Sequence, residues 1–205
     1  VTGPARSRRR LLLAAAGLLA AGCLAPPAPR DRFYRFELAP PERLPAPAFA
    51  GVLEVERFQA DSAARGTALA WVADASARRV ERRDFDHWVD APPLLLQREL
   101  ASALRAAGVA REVVTPEMGV ARDHRLAGRL VRFEEVRGPG APRVVVELEI
   151  AISDPRRSAL ELRATYREER EIAGPGVEDV VRAYDAALSA VAERLAADSA
   201  ALARR

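Results

Sequence analysis

The chain has 205 residues, enough for one domain with a sizeable core, and 49% of them are hydrophobic. Its 32 basic residues are all arginines and face 29 acids, for a formal charge of +3. Four of those arginines, Arg6, Arg8, Arg9 and Arg10, stand in the first ten residues, and without them the balance falls just below zero. That removes the cationic footprint a nucleic-acid partner would require, and a lone cysteine excludes an intramolecular disulfide.

The arginine cluster is followed by an unbroken apolar run from Leu11 to Ala21, with small residues leading to Cys23. A basic start, an apolar middle and a small-residue cleavage site make a secretory signal, and at 1.5 Å per residue the run spans roughly 16 Å, too short for a stable membrane span. Leu19-Ala20-Ala21-Gly22-Cys23 resembles the bacterial lipobox, with Ala20 where a larger aliphatic residue is commonest. Residues 1–22 are therefore expected to be a lipoprotein signal peptide cut between Gly22 and Cys23, leaving Cys23 lipidated as the anchor. One acyl chain binds a membrane only marginally, so a multiply acylated cysteine is what gives stable attachment. Ser7-Arg8-Arg9 before Leu11-Leu12 also resembles a twin-arginine signal, so either export route is open.

Residues 23–48 carry the anchor cysteine, an opening strand and two proline-rich segments, and residues 49–205 form the main body, which the opening strand joins. Seven of the 15 prolines lie between Pro26 and Pro47, so both segments are expected to be extended spacers. The aromatic stretch Arg32–Leu38 reads as the first strand and Gly51–Phe58 as the second. "TALAWVAD" and "RRVERRD" form a hairpin about Ala75 and Ser76; the arginines Arg78, Arg79, Arg82 and Arg83 read as a solvated edge rather than a lipid-headgroup site. "DAPPLLLQRELASALRAAG" predicts a helix that starts at Pro92-Pro93 and stops at Gly108. Leu96, Leu100, Leu104 and Ala107 make its apolar stripe; Gln97, Arg98, Ser102 and Arg105 face the other way.

Three strands follow, "HRLAGRLVRFEEV", "PRVVVELEIAIS" and "ALELRATYREER", joined by turns at Gly138-Pro139-Gly140 and Asp154-Pro155. A change of phase at Leu130-Val131 implies a bulge. Val144, Val146, Leu148, Ile150 and Ile152 share one face of the middle strand. Their cover is a final helix from about Gly176 to Ala200 with Val177, Val180, Tyr184, Leu188, Val191 and Leu195 on one stripe. The expected class is α+β, a mainly antiparallel sheet packed against two principal helices.

"DFDHWVD" brings Asp84, Asp86 and His87 close together, but His124 is the only other imidazole, and no metal-ligand pair, nucleophile elbow or phosphate loop occurs. The stretch is read as a strand-to-helix corner held by Trp88, and Trp71 as a core or interface residue. No catalytic residue, metal ligand or cofactor is assigned.

The order of lipobox, aromatic strand, "GVLEVERF", "ALAWV", "DFDHWVDAPPLLLQREL", "HRLAGRLVRFEEV" and an alanine-rich last helix resembles the ABC-type transport auxiliary lipoproteins, the PqiC-like family. Trp88, Pro92 and Pro93, leading into the helix, are the most specific part of the resemblance, with the Leu126–Phe133 strand next. Membership implies a non-enzymatic periplasm-facing lipoprotein beside an MCE-domain protein of an ABC-type transporter that moves lipids between envelope membranes. Leu24 follows the cysteine where inner-membrane retention favours aspartate, so the resemblance extends to outer-membrane lipoproteins. A tubular partner would suit a homo-oligomeric receiver. The second reading is an independent lipid carrier holding acyl chains between sheet and helices; the third, an enzyme, needs polar groups converging on His87.

Overall fold

The computed structural model describes residues 29–60 and 62–204, so Gly22 and Cys23 lie outside the described residues. Asp31–Arg205 is one unit, separate from Val1–Arg30. Among the described residues nine strands are formed: β1 Arg32–Tyr34, β2 Phe49–Val55, β3 Gln59–Ala60, β4 Ala68–Val72, β5 Val80–Trp88, β6 Ala110–Val114, β7 His124–Val136, β8 Arg143–Asp154 and β9 Ala159–Glu171. The α-helices among the described residues are a short α1, Ser62–Arg65, then α2, Pro92–Ala107, and α3, Val177–Ala203. The class is α+β, as the sequence implies.

The sheet is more mixed than the hairpin pattern predicts. β7, β8 and β9 form the expected antiparallel meander, and the register slips between Leu130 and Arg132, where the change of phase places a bulge. The other edge of β7 takes three strands in succession, all parallel to it. β2 pairs at His124–Leu126, β3 at Arg129–Leu130 and β4 at Glu135–Val136. Thirteen residues give β7 the length for this. Between β2 and β3 the chain stays on the same edge, and Phe58 folds over Gly128, where an added Cβ would meet the phenyl ring at 2.2 Å. β4 and β5 make the predicted hairpin, its turn closed by Asp74, whose carboxylate accepts from the Ser76 amide and hydroxyl at 2.8 and 2.6 Å. β6, parallel to β2, and β1, parallel to β5, lie at edges of the sheet.

The inner face carries the core. Val144, Val146, Leu148, Ile150 and Ile152 are buried beneath Val180, Tyr184, Leu188, Val191 and Leu195 of α3. α2 lies against β2 and β6, with Leu96, Leu100, Leu104 and Ala107 inward. It ends at Gly108, whose φ of 69° suits glycine. Gln97, expected on the polar face, is buried instead, its amide donating to the Val55 carbonyl at 3.0 Å and so closing a main-chain acceptor of β2. The outer face of β7, β8 and β9 is ionic, with Arg167 on Glu147 and Glu169, Arg143 on Glu169, and Arg132 on Glu134.

The second proline-rich segment is no free spacer. Proline keeps it extended and denies it a full strand ladder, so its remaining amides turn to α3. The Glu37, Ala39 and Glu42 amides donate to Asp185, Ser189 and Glu193, three acceptors at one-turn spacing along one face of the helix. Leu44 and Ala48 then donate to the Ala107 and Val109 carbonyls at the end of α2. Residues 37–48 thus strap both helices.

Burial pushes the Asp185 carboxyl above its ordinary value, with the Glu37 amide opposing. A carboxyl raised in the native state favours folding when protonated, and that contribution is lost as pH rises through the raised value. Asp185→Asn keeps an acceptor without the charge and is expected to match or exceed the parent in urea unfolding at pH 7. Asp185→Ala, which leaves the amide without its acceptor, should cost about 0.5–1 kcal/mol. Equal losses in both would overturn the assignment of the carboxyl as an acceptor whose charge is a burden.

Candidate functional site

The residues singled out in "DFDHWVD" do not converge on a reacting centre. β5 carries extra residues against β4, with Ala70 opposite Arg82 but Ala68 opposite His87, and the bulge reverses which positions point inward. Arg83 lies inward before it, Asp86 and Trp88 inward after it, and Phe85 and His87 are left on the outer face. Asp84 is exposed.

Asp86, buried, is held by Arg32 through Nε and Nη2 at 2.8 and 2.7 Å and lies 3.6 Å from Arg83. Arg83 reaches Glu135 of β7 at 2.9 Å, Arg137 binds the same carboxylate at 2.8 Å, and the Arg137 guanidinium stacks 4.2 Å from the centre of the Trp71 ring. Burial raises the Glu135 carboxyl, but hydrogen bonds from Arg137 and Arg83 outweigh it and hold the group below its ordinary value. Its contribution to stability is therefore present above the normal carboxylate range and lost as pH falls through the depressed value. Arg83, expected to be solvated with its neighbours, is instead the link that ties β5 to β7.

His87 is 3.6 Å from Asp31 and packs against Phe33, the ring centres 5.7 Å apart. It braces β1 on β5. His87→Ala should cost less than about 1 kcal/mol, whereas Asp86→Ala, which removes a buried carboxylate that accepts from Arg32 and lies beside Arg83, should cost more. Thermal unfolding of the two variants measures the difference, and a larger loss for His87→Ala would reverse the ranking.

Trp88 is 1% exposed and stands at the centre of an aromatic group. Its ring lies 5.4 Å from Phe36, 5.7 Å from Phe133 and 5.3 Å from Tyr184, and Phe133 and Tyr184 are 4.3 Å apart. Pro92 and Pro93, both buried, open α2 four residues later. The Leu94 and Leu95 amides donate to the Ala91 carbonyl, so the prolines occupy first-turn positions where no amide donor is needed. The corner thereby joins β5, β7, α3 and the segment after β1 about one ring.

A cleft of about 610 Å³ opens where β2, β7 and β9 begin and α3 ends, and here the second histidine is found. His124 Nδ1 lies 2.8 Å from Glu161, with Phe49 at 5.0 Å between ring centres. Asp123 meets Arg156 at 3.0 Å and accepts from the Val52 amide at 3.0 Å, and Asp154 accepts from the Arg156 and Arg157 amides. Each carboxylate here is matched by an arginine, an imidazole or main-chain donors, which makes the cleft a clasp for the β8–β9 turn. Among the described residues no group of three or more His, Cys, Asp and Glu is placed to hold a metal ion. No described helix is long and apolar enough to cross a membrane.

The model of the ABC-type transport auxiliary lipoprotein component family matches residues 34–196. The chain belongs to this family. The match begins inside β1 and ends in α3, so the strap, the Trp88 corner and the whole sheet beyond β1 fall within the matched stretch. The crystal structure of protein XCC0632 from Xanthomonas campestris, assigned to DUF330, is similar with a TM-score of 0.74 at 16% identity, covering 84% of this chain and 97% of that one. A second crystal structure, of an uncharacterized protein, gives 0.59 at 15% identity over 84% and 97%. At these identities the likeness speaks to the fold. Among curated proteins, none matches the sequence.

Proposed function

We propose that this auxiliary lipoprotein is the membrane-anchored accessory of an MCE/ABC-type lipid transport system, held by lipidated Cys23 at the periplasmic face of the outer membrane. There it receives or steadies a transporter component and performs no chemistry itself. The observation that carries the reading is the family match across the folded body. The titratable groups add support, since Asp86, Glu135 and His87 are engaged in bracing strands. A carrier enclosing acyl chains would need open space between sheet and helices, and at the Trp88 corner four aromatic rings fill it.

The docking half of the proposal predicts co-purification with an MCE-domain protein after crosslinking in the native host, and a closed homo-oligomer as the receiver. Failure to recover such a partner, with lipid bound to the isolated protein, would favour the carrier. The sorting half is tested by Leu24→Asp, which should move the protein toward the inner membrane in density fractionation and impair envelope resistance while leaving the thermal transition unchanged. Unaltered fractionation would remove the outer-membrane assignment.

A further inference from the structure

The outer face of the sheet changes character between its two ends. Across β7, β8 and β9 it is a lattice of paired arginines and glutamates. At the β1–β5 edge, Phe33 is 63% exposed, Phe85 41% and Val89 41%. β1 runs parallel to β5 with Phe33 opposite His87, and the Val89 amide donates to the Tyr34 carbonyl, so the pairing continues one residue beyond β5. With a period of two, Phe85, His87 and Val89 share the face of Phe33. The bulge in β5 turns Phe85 outward, and His87 holds the Phe33 ring in place. Arg35, two residues after Phe33, and Arg82, three before Phe85, are exposed, as are the acids Asp31 and Asp84.

Chain length says what lies against it. Eight residues separate Cys23 from Arg32, and the nine steps between them, at ~3.3 Å each, span at most about 30 Å. β1 therefore begins within about 30 Å of an anchor at Cys23, and it is the strand with the most exposed aromatic ring among the described residues. We infer that the Phe33–Phe85–Val89 face of the β1–β5 edge seats on the lipid surface, its rings among the headgroups and acyl ends and its arginines toward anionic phosphates. This rests on the reading of Cys23 as the anchor. Two exposed phenylalanines and a valine are a weak attachment alone, and under the anchor their effect is to set orientation.

The test uses the full acylated chain in vesicles of phosphatidylethanolamine and phosphatidylglycerol. With Cys23 blocked by acylation, Phe33→Cys, Phe85→Cys and, as control, Leu160→Cys each provide one thiol for a nitroxide. The expected result is a several-fold loss of collisions with an aqueous nickel chelate at positions 33 and 85, with oxygen collisions kept, and full chelate access at 160. Equal chelate access at all three, with the protein still floating with the vesicles, would overturn the lipid face and leave the anchor standing. Dipolar broadening between nitroxides at position 33 would also overturn it, making the face a contact between copies. A chain that carries no acyl group and does not float would remove both readings.

Discussion

Replacing Trp88 with alanine is expected to destabilise the protein by about 3–5 kcal/mol, the range for removing a large buried aromatic side chain. For a domain of this size that lowers the melting temperature by roughly 10 °C. The loss is large because the ring is shared by Phe36, Phe133 and Tyr184, which belong to elements far apart in sequence, so the cavity cannot close by shifting one of them. Trp88→Phe keeps part of the contact and should lose about half as much. Two tryptophans make the result readable by fluorescence, since Trp71, stacked under Arg137, remains as the reporter in both variants. A loss below about 1 kcal/mol in Trp88→Ala would show that the corner is not where the layers are joined.

Cys23→Ser is expected to abolish acyl labelling and release the protein from the membrane, as an uncleaved precursor or a soluble form. The effect should be near total. Each buried acyl methylene contributes about 0.8 kcal/mol, so losing several chains removes far more attachment energy than three exposed apolar side chains supply. Metabolic labelling with palmitate, followed by fractionation of the cells, measures both parts. Normal labelling in the variant would overturn the assignment of Cys23. Labelling lost with membrane association intact would mean that another surface provides the attachment.

The elements whose signal is local were legible in the sequence. β7, β8 and β9 alternate, their turns carry glycine or proline, and the phase change at Leu130 marks the bulge. α2 and α3 show a one-turn stripe with prolines and glycines at their ends. Pairing partners were another matter. A period of two says which face a residue takes, not which strand lies beside it, so β2, β3 and β4 queuing along one edge of β7 left no trace in Gly51–Phe58 or "TALAWVAD". β6 is five residues directly after a helix, too short for alternation to announce it. The site residues divide the same way. Trp88 at a corner before two prolines was readable, whereas Arg83 bound to Glu135 and Asp86 bound to Arg32 join residues more than fifty positions apart. Gln97 is polar by type and is buried with its amide donating to the Val55 carbonyl of β2, a contact between positions 42 apart.

The strap along α3 has a consequence for how the molecule comes into being. A polypeptide is made from its N-terminus, yet Glu37, Ala39 and Glu42 find their acceptors about 150 residues later in the chain. Residues 37–48 are made well before α3 yet are among the last to be fixed, and until α3 arrives their amides are open. Contacts so distant in sequence slow closure and lengthen the time in which apolar surface is exposed. Shortening α3 from its C-terminal end would accordingly loosen residues 37–48 first, and protease cutting within them would reveal it before any loss of the β7–β9 sheet.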